Sequence, residues 1–577
     1  VARGAFGTRY YDANTTLCMA SAVTAYYQAF GSDAPPPTYD DVPRAQTHLV
    51  WGANPAVAHP VLHRWITNSA DEEDGRLVVV DPIETETARA ADVHVQPEPG
   101  TDLALARAVL AAVVEAGAVD TAFVEAHTAG FEETVETLPD VEAAAATADV
   151  PVEQVETLAS VLDVPTLVYW GMGVNQSIQG TGTARALIDL CLATGNLGPG
   201  TGPFSLTGQA NSMGNRVCAS KGTWPGHRTF DEPANREVVA ETWDVPLSRL
   251  PHSPGPGFVR IVDELARGEI DVCWTVATNP VAGMPDASHV RRALDDVFLV
   301  VQDAFHSDTV ECADVVLPAA TWGESEGTTI NMERRVSRVT AATDPPDAVR
   351  QDVDIIATIG NRIDPDLFAE PPLDPEAVFD ELRGVTAGTT ADLSGITYDR
   401  LADELAVRWP APDTESQGGY QYHDDGDWSF RTDSGRAHFS TVTHQRVPEP
   451  IDEEYPLTLT TGRLSGVYNT GVRTRGDDAG RPTARMHPET IAEHLNVLDR
   501  GRTVLESRRS RVTVDVAPTD GVPPGVVWLS IHNAAANELT LSEVDPESAE
   551  PNFKQCAVGL RVPERSQSET EELVLPR

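Results

Sequence analysis

The chain has 577 residues, enough for several hydrophobic cores at about 150 residues per domain, which excludes a small binding module. Lys and Arg total 42 against 88 Asp and Glu, a formal net charge of −46, which excludes nucleic-acid binding through a general basic surface and disfavours an anionic membrane surface. Only Lys221 and Lys554 of those cations are lysines, and the acidic groups are scattered through well-patterned segments, so the sequence reads as an ordinary core in an acidic shell adapted to high salt, where near 1 M the Debye length is roughly 3 Å.

In chain order, the first element is Asn14 to Ala22, which places Cys18 where an irregular segment gives way to a helix running towards Phe30. A thiol at a helix start is expected to have a lowered pKa, ready to ligate a soft metal or act as a nucleophile, although a packed cysteine is the commoner outcome. From about Gln46 to Pro318 the chain repeats an apolar run, a polar or Gly-rich turn and a helical stretch. The runs are Thr47 to Trp51, Leu77 to Val80, Pro165 to Trp170, Val272 to Ala277, Phe298 to Val301 and Asp314 to Leu317. This predicts doubly wound α/β domains with parallel strands buried on both faces, and ligands beyond the strands' carboxyl ends. A short echo links Val50-Trp51-Gly52 to Tyr169-Trp170-Gly171. Residues 341–450 read as connecting helices and loops, and 451–577 as a C-terminal β-barrel domain. The expected units are therefore 1–200 with the cysteine and dinucleotide-binding loops, 201–340 as a second dinucleotide-binding domain, then 341–450 and 451–577.

The residues following the runs carry the candidate chemistry. Gly171-Met172-Gly173 and Gly180-Thr181-Gly182 suit a phosphate cradle, and equally suit tight turns. Gly100-Thr101-Asp102 opens a helix with ordinary capping residues. Gly323 to Gly327 matches G-x-S-x-G, but the elbow requires a strand end and Pro318 to Trp322 intervene. Six cysteines with no close pair make neither a disulfide framework nor a local zinc or iron-sulfur loop, which points to a reducing cytosol. The most apolar stretch, Leu103 to Val119, is broken by Arg107 and Glu115, short of a membrane span. Because the first residue is Val1, the true N-terminus is expected upstream, and the lack of a secretory signal says little.

At Leu17-Cys18-Met19-Ala20-Ser21-Ala22 the chain resembles the molybdenum-binding region of the molybdopterin oxidoreductases. Trp51-Gly52-Ala53-Asn54, Gly100-Thr101-Asp102, Met172 to Gln176, Pro203 to Gln209 and Glu326-Gly327-Thr328 follow in family order, as do Thr461-Gly462-Arg463, Asn469-Thr470-Gly471, Asn537 and Phe553-Lys554. The ordered set resembles the cytoplasmic assimilatory nitrate reductase type. That resemblance implies molybdenum held by two molybdopterin guanine dinucleotides, with Cys18 as the protein ligand. It implies pterin-dinucleotide contacts from Asn14, Trp51, Gly52, Asn54, Met172 and Gln176, and guanosine contacts from Gly100, Thr101, Asp102, Gln302 and Asp303. Asp81, Gln209, Asn279, Asp352, Thr461 and Gly462 belong to the same cofactor cage, with Arg463, Asn469, Thr470, Asn537 and Lys554. Arg216 matches the arginine beside the metal that suits a planar anion such as nitrate, and Met19 is expected near the metal. The implied reaction moves one oxygen atom from nitrate, giving nitrite and water.

Some features depart from the family pattern. The family's N-terminal segment, with four cysteines for a 4Fe-4S cluster, has no counterpart here, which we attribute to a chain that begins inside a longer protein. Ser325 stands where a lysine is usual. No cysteine follows Cys556, so the 2Fe-2S extension of NADH-coupled types is missing and ferredoxin is the expected donor. The alternatives are a formate dehydrogenase, which usually has a histidine after the metal-binding residue, and a non-catalytic electron-transfer relative.

Overall fold

The runs of the first lobe are apolar at successive positions, a pattern that suits a sheet covered on both faces. In the computed structural model, which describes residues 1–365, 367–424, 426–471, 480–497 and 501–563, three of them join two further strands in one parallel sheet. Its strands are β1 (Thr47–Trp51), β2 (Arg76–Val80), β3 (Val93–Val95), β4 (Thr166–Trp170) and β5 (Gly202–Ser205), in the order β3-β2-β1-β4-β5. Trp51 lies in register with both Val80 and Trp170. One face packs Leu49, Trp51, Val78, Val80 and Trp170 against helices α1 (Ala20–Phe30), α2 (Asp102–Glu115) and α3 (Gly180–Ala193). The other packs Val50, Val79 and Tyr169 under Leu62, Ile66 and Met332. Helix α1 buries Ala22, Ala25, Tyr26, Ala29 and Phe30, a stripe at spacings of three and four. It ends at Gly31, whose φ of 79° and a backbone neighbour 2.2 Å from any added Cβ admit only glycine.

Beyond α4 (Ser212–Cys218) a second parallel sheet follows, β6 (Val272–Val276), β7 (Phe298–Asp303) and β8 (Val315–Pro318), ordered β8-β7-β6. Leu299 and Val301 pack under α5 (Phe258–Ala266) and α6 (Ala287–Asp295). Its other face is open, with Val272 56% and Phe298 51% exposed, against the expected burial on both faces, because helices cover one side alone. A small antiparallel sheet joins β9 (Gly327–Ile330), β10 (Arg335–Val339) and β11 (Ala406–Arg408), with α7 (Asp352–Ile363) between the last two in sequence. The chain closes with a barrel of β12 (Leu457–Gly462), β13 (Thr483–Met486), β14 (Arg502–Glu506), β15 (Arg511–Pro518), β16 (Val526–Ser530) and β17 (Cys556–Arg561), ordered β12-β16-β13-β15-β14-β17. Leu459, Val514, Val527 and Val558 fill it.

The structure moves two of the expected boundaries and gives a third unit a larger part. The one at 200 falls before β5, which belongs to the first sheet because Phe204 is buried against Tyr169. The one at 340 cuts a sheet, since β10 pairs with β11 across it. Residues 341–450 do more than connect: Tyr422, Phe430 and Phe439 enter the first lobe's core, and Ala437–His438 pairs with Thr128–Ala129. Of the unit expected at 451–577, residues 564–577 lie outside the described residues. The apolar stretch at 103–119 is mostly the buried helix α2, and among the described residues no helix is long and apolar enough to cross a membrane.

Candidate active site

Both parallel sheets hand the chain to the same turn. After β1, Asn54 Oδ1 accepts the Thr87 N–H at 3.3 Å and hydroxyl at 2.8 Å, its Nδ2 donates to Glu86 at 2.8 Å, and Thr87 Oγ1 accepts the Ala56 N–H at 3.1 Å. After β6, Asn279 Oδ1 accepts the Thr309 N–H at 3.2 Å and hydroxyl at 2.8 Å, its Nδ2 donates to Asp308 at 3.1 Å, and Thr309 Oγ1 accepts the Val281 N–H at 3.2 Å. At the carboxyl ends of β2 and β7, Asp81 accepts the Ile83 N–H at 2.9 Å and Asp303 the Phe305 N–H at 3.0 Å. Asp92 and Asp314 close the units on the N–H groups of Leu77 and Leu299, both at 2.8 Å. The two lobes are repeats of one unit, β1-β2-β3 and β6-β7-β8. The sequence echo at Trp51 and Trp170 is a different relation, between neighbouring strands of one sheet.

Two cavities lie at the ends of these strands and meet at Arg463 and Ile531. The narrower, about 160 Å³, is walled by Gly52, Asn54, Asp81, Gly100 and Asp102 of the first lobe and by Met172. The barrel adds Thr461, Gly462, Arg463 and Lys554. Gly52 and Gly173 lie back to back here: the Gly173 N–H donates to the Gly52 carbonyl at 2.8 Å, and a Cβ on Gly173 would sit 2.7 Å from Gly52. The wider cavity, about 910 Å³, reaches Cys18, Asn14, Gln176 and Gln209. Its walls include Asn279, Asp303 and Asp352 together with Asn469, Thr470 and Asn537, and Asn279 Nδ2 donates to Thr470 at 3.4 Å.

Five expected site residues stand behind these walls. Trp51 is buried and its indole N–H donates to Asp102 at 2.9 Å, so it orients a wall residue. Gln302 is buried likewise, donating to the Asp352 carboxylate at 2.6 Å. The Thr101 hydroxyl donates to the Glu98 carbonyl at 2.6 Å. Met19 is fully buried at the N-terminus of α1. Arg216 is held away from the cavity by a buried ion pair with Asp33, 3.3 Å apart, although its charge still reaches the Cys18 sulfur. Two sequence signals resolve differently from a phosphate cradle or a nucleophile elbow. Asp545 occupies the start of α3, accepting the Thr181 N–H at 3.0 Å and hydroxyl at 2.8 Å. Ser325 follows a turn and donates to the Thr321 carbonyl at 2.9 Å.

The electrostatics follow from burial. Burial, then the charge of Glu550, pushes the Cys18 thiol up to about 12, opposite to the lowered value expected, because the sulfur is enclosed and the Ser21 N–H at the start of α1 is donated to Glu550 at 2.7 Å. The thiol donates to Gln209 Oε1 at 3.2 Å. Lys554 Nζ donates to the Thr461 carbonyl at 2.8 Å; burial and then Arg463 bring its pKa down to about 7, with Asp81 opposing. Asp81 is brought up to about 7, chiefly by burial. Two wall groups, Gln176 Oε1 and His59 Nδ1, are buried with no hydrogen-bond partner among the described residues. The sequence reading missed Asn175, whose amide donates to the Cys18 carbonyl at 3.0 Å, and Asp33. Asn175 carried a signal, since it directly precedes Gln176 in a turn already singled out.

Comparison with known proteins agrees with this architecture. Residues 2–362 match the molybdopterin oxidoreductase family model and residues 457–557 the molybdopterin dinucleotide binding domain. The chain is 62% identical over 564 residues to an assimilatory nitrate reductase of Haloferax mediterranei, covering 97% of this chain and 79% of that one. It is 35% identical over 585 residues to a nitrate reductase of Synechocystis, covering 97% and 81%. Among solved structures, acetylene hydratase from Pelobacter acetylenicus superposes with a TM-score of 0.75 at 17% identity, covering 96% of this chain and 83% of the other, a likeness of fold. The chain belongs to the molybdopterin oxidoreductases.

Proposed function

We propose that this chain is the catalytic part of an assimilatory nitrate reductase, converting nitrate, two electrons and two protons to nitrite and water. The observation that carries the reading is the 62% identity with the Haloferax enzyme across 97% of the chain. The site agrees chemically. Two cavities rooted in two repeated lobes and meeting at Arg463, with a buried cysteine in the wall of the wider one, suit a metal carried between two elongated cofactors. The unpartnered Gln176 Oε1 and His59 Nδ1 suit the N–H groups of pterin rings.

In this reading Cys18 is the metal's protein ligand, a soft thiolate among dithiolene sulfurs. Binding the metal would hold it deprotonated against the burial that otherwise raises it. Asn54, Asp81, Met172, Thr461 and Lys554 hold one dinucleotide; Asn279, Asp303, Asp352, Thr470 and Asn537 hold the other. Asn14, Gly52, Gly100, Asp102, Gln176 and Gln209 are further wall contacts, with Gly462 and Asn469. Arg463, where the cavities meet, supplies positive charge to both. When bound, the molybdenum cofactor supplies two-electron oxygen-atom transfer; the protein orients it and neutralises the anions it meets. Arg216 lies within electrostatic reach of the cysteine, fixed by Asp33, and would attract nitrate towards it. We assign the donor role to ferredoxin, through a 4Fe-4S cluster outside this chain, and place the protein in the cytoplasm on the argument of six unpaired cysteines.

The test is molybdenum content and viologen-driven turnover of nitrate and of formate by full-length protein purified in high salt. We expect molybdenum near stoichiometric, nitrate reduced, formate inert, and Cys18→Ala to lose at least ~10³-fold in nitrate turnover. Unchanged turnover in that variant, or formate as the better substrate, overturns the reading.

A further inference from the structure

The backbone around Cys18 lies between regular elements. A 3₁₀ turn ends at Leu17 and α1 begins at Ala20, and the first ladder bond of that helix runs from Val23 to the Met19 carbonyl. The Cys18 carbonyl is one residue too early for the ladder. Its partner is instead the side chain of Asn175, in the short helix Met172–Asn175 after β4.

That amide is fully buried and all three of its contacts are specific. Nδ2 donates to the Cys18 carbonyl at 3.0 Å and towards the Met19 sulfur at 3.6 Å, while Oδ1 accepts the Trp170 indole N–H at 3.1 Å. The indole therefore fixes which end of the amide faces Cys18, since only the NH₂ end is left to point there. Trp170 is itself fully buried, its ring 5.6 Å from that of Tyr26 on α1. The neighbouring bonds converge on the same segment: Gln176 donates to the Leu17 carbonyl at 2.7 Å, and the Ser21 hydroxyl to the Asn175 carbonyl at 2.9 Å. One turn of the first lobe thus grips the carbonyls on either side of the bond leading into Cys18.

We propose that Asn175, oriented by Trp170, is a positioning residue that aims the Cys18 sulfur into the wider cavity and so sets the geometry at the reaction centre. The second half of this inference rests on the proposed nitrate reductase function. A ligand misplaced by even 1 Å costs large factors in rate, whereas substrate capture depends on charges elsewhere.

The experiment uses Asn175→Leu, which keeps the shape and removes both donors, and Trp170→Phe, which leaves the donors and removes their orientation. In full-length holoenzyme we expect kcat per bound molybdenum to fall about tenfold in Asn175→Leu and by a smaller factor in Trp170→Phe, with KM for nitrate within about twofold. The Mo(V) EPR spectrum should shift in both; a merely structural asparagine would lower yield and leave kcat per molybdenum and the spectrum alone. In cofactor-free protein, iodoacetamide should alkylate Cys18 more slowly in both variants, mapped by peptide mass, because the sulfur is no longer held towards the cavity. Unchanged kcat per molybdenum and spectrum overturn the proposal, as do alkylation rates equal to the parent's. If Asn175→Leu does not fold, Trp170→Phe decides alone. A parent that binds no molybdenum or reduces no nitrate would sink the functional reading, and the alkylation rates would still decide whether Asn175 holds Cys18.

Discussion

The two lobes share one frame and dress it differently. Asn54, Asp81, Thr87 and Asp92 in the first lobe have the same hydrogen-bonding roles as Asn279, Asp303, Thr309 and Asp314 in the second. Around the first, helices cover both faces of the sheet and the barrel brings Lys554 and Arg463 over the strand ends. Around the second, one sheet face is open and the cavity is wide, with Asp352 brought in by Gln302. The frame specifies where a ligand sits; the covering elements specify how tightly and with what charge it is held.

The largest test of that difference is Lys554→Met. It removes the one lysine that walls the narrower cavity and leaves Asp81 buried with less counter-charge. We expect at least a tenfold loss of cofactor per chain on purification, because an uncompensated buried charge or an unpaired anion costs several kcal/mol. Asp352→Asn, which keeps an acceptor for Gln302 in the open cavity, should lose less than half. Equal losses would mean that the barrel does not distinguish the two sites.

Thr87→Val and Thr309→Val address the shared frame. Each removes a fully buried hydroxyl that both donates to an asparagine and accepts a backbone N–H. Each should destabilise by about 1–3 kcal/mol in denaturant titrations, and by similar amounts. A cost in only one lobe would break the repeat as an energetic unit.

Lys554 also gives the first cavity a pH dependence. Its pKa is depressed to about 7, so the ammonium that holds an anion is present below that value and lost as pH rises through it. Cofactor-free protein titrated with guanosine diphosphate should bind several-fold more weakly at pH 8.5 than at pH 6 at fixed high salt. The same titration of Lys554→Met should be weaker throughout and keep only the part of the pH dependence that Asp81 carries, since its carboxyl, also raised to about 7, gains negative charge over the same range.

What could be read in advance follows the range of the forces involved. Strand runs such as Leu77 to Val80 and Phe298 to Val301 are local patterns, and all became strands. The ordered motif set placed Cys18, Asn279, Arg463 and Lys554 on cavity walls, although they come from three parts of the fold. The side-chain partnerships were not legible, because each depends on which distant group fills a buried space. Asp33 claims Arg216, Asp102 receives Trp51, and Asp545 takes the start of α3 that glycines had advertised as a phosphate site. The repeat itself was hidden, since Asn54 and Asn279 share a hydrogen-bond pattern with little surrounding identity. The only visible echo, at two tryptophans, was a neighbour relation within one sheet.

The smallest expected effect concerns the open sheet face. The frame aligns Val78 of β2 with Val300 of β7, each two residues before the last apolar or amide position of its strand and three before Asp81 or Asp303. Val78 is fully buried against the helices of the first lobe, whereas Val300 is only partly covered, on the face that also carries Phe298 and Val272. Val78→Ser therefore removes a packed side chain and buries a hydroxyl, at a cost of about 2–4 kcal/mol. Val300→Ser exposes its hydroxyl to water and should cost under about 1 kcal/mol. Denaturant midpoints of the two variants give the comparison directly. If Val300→Ser proves as costly as Val78→Ser, then the second sheet is covered in the working protein, and the lobes differ in charge and cavity width but not in how they are buried.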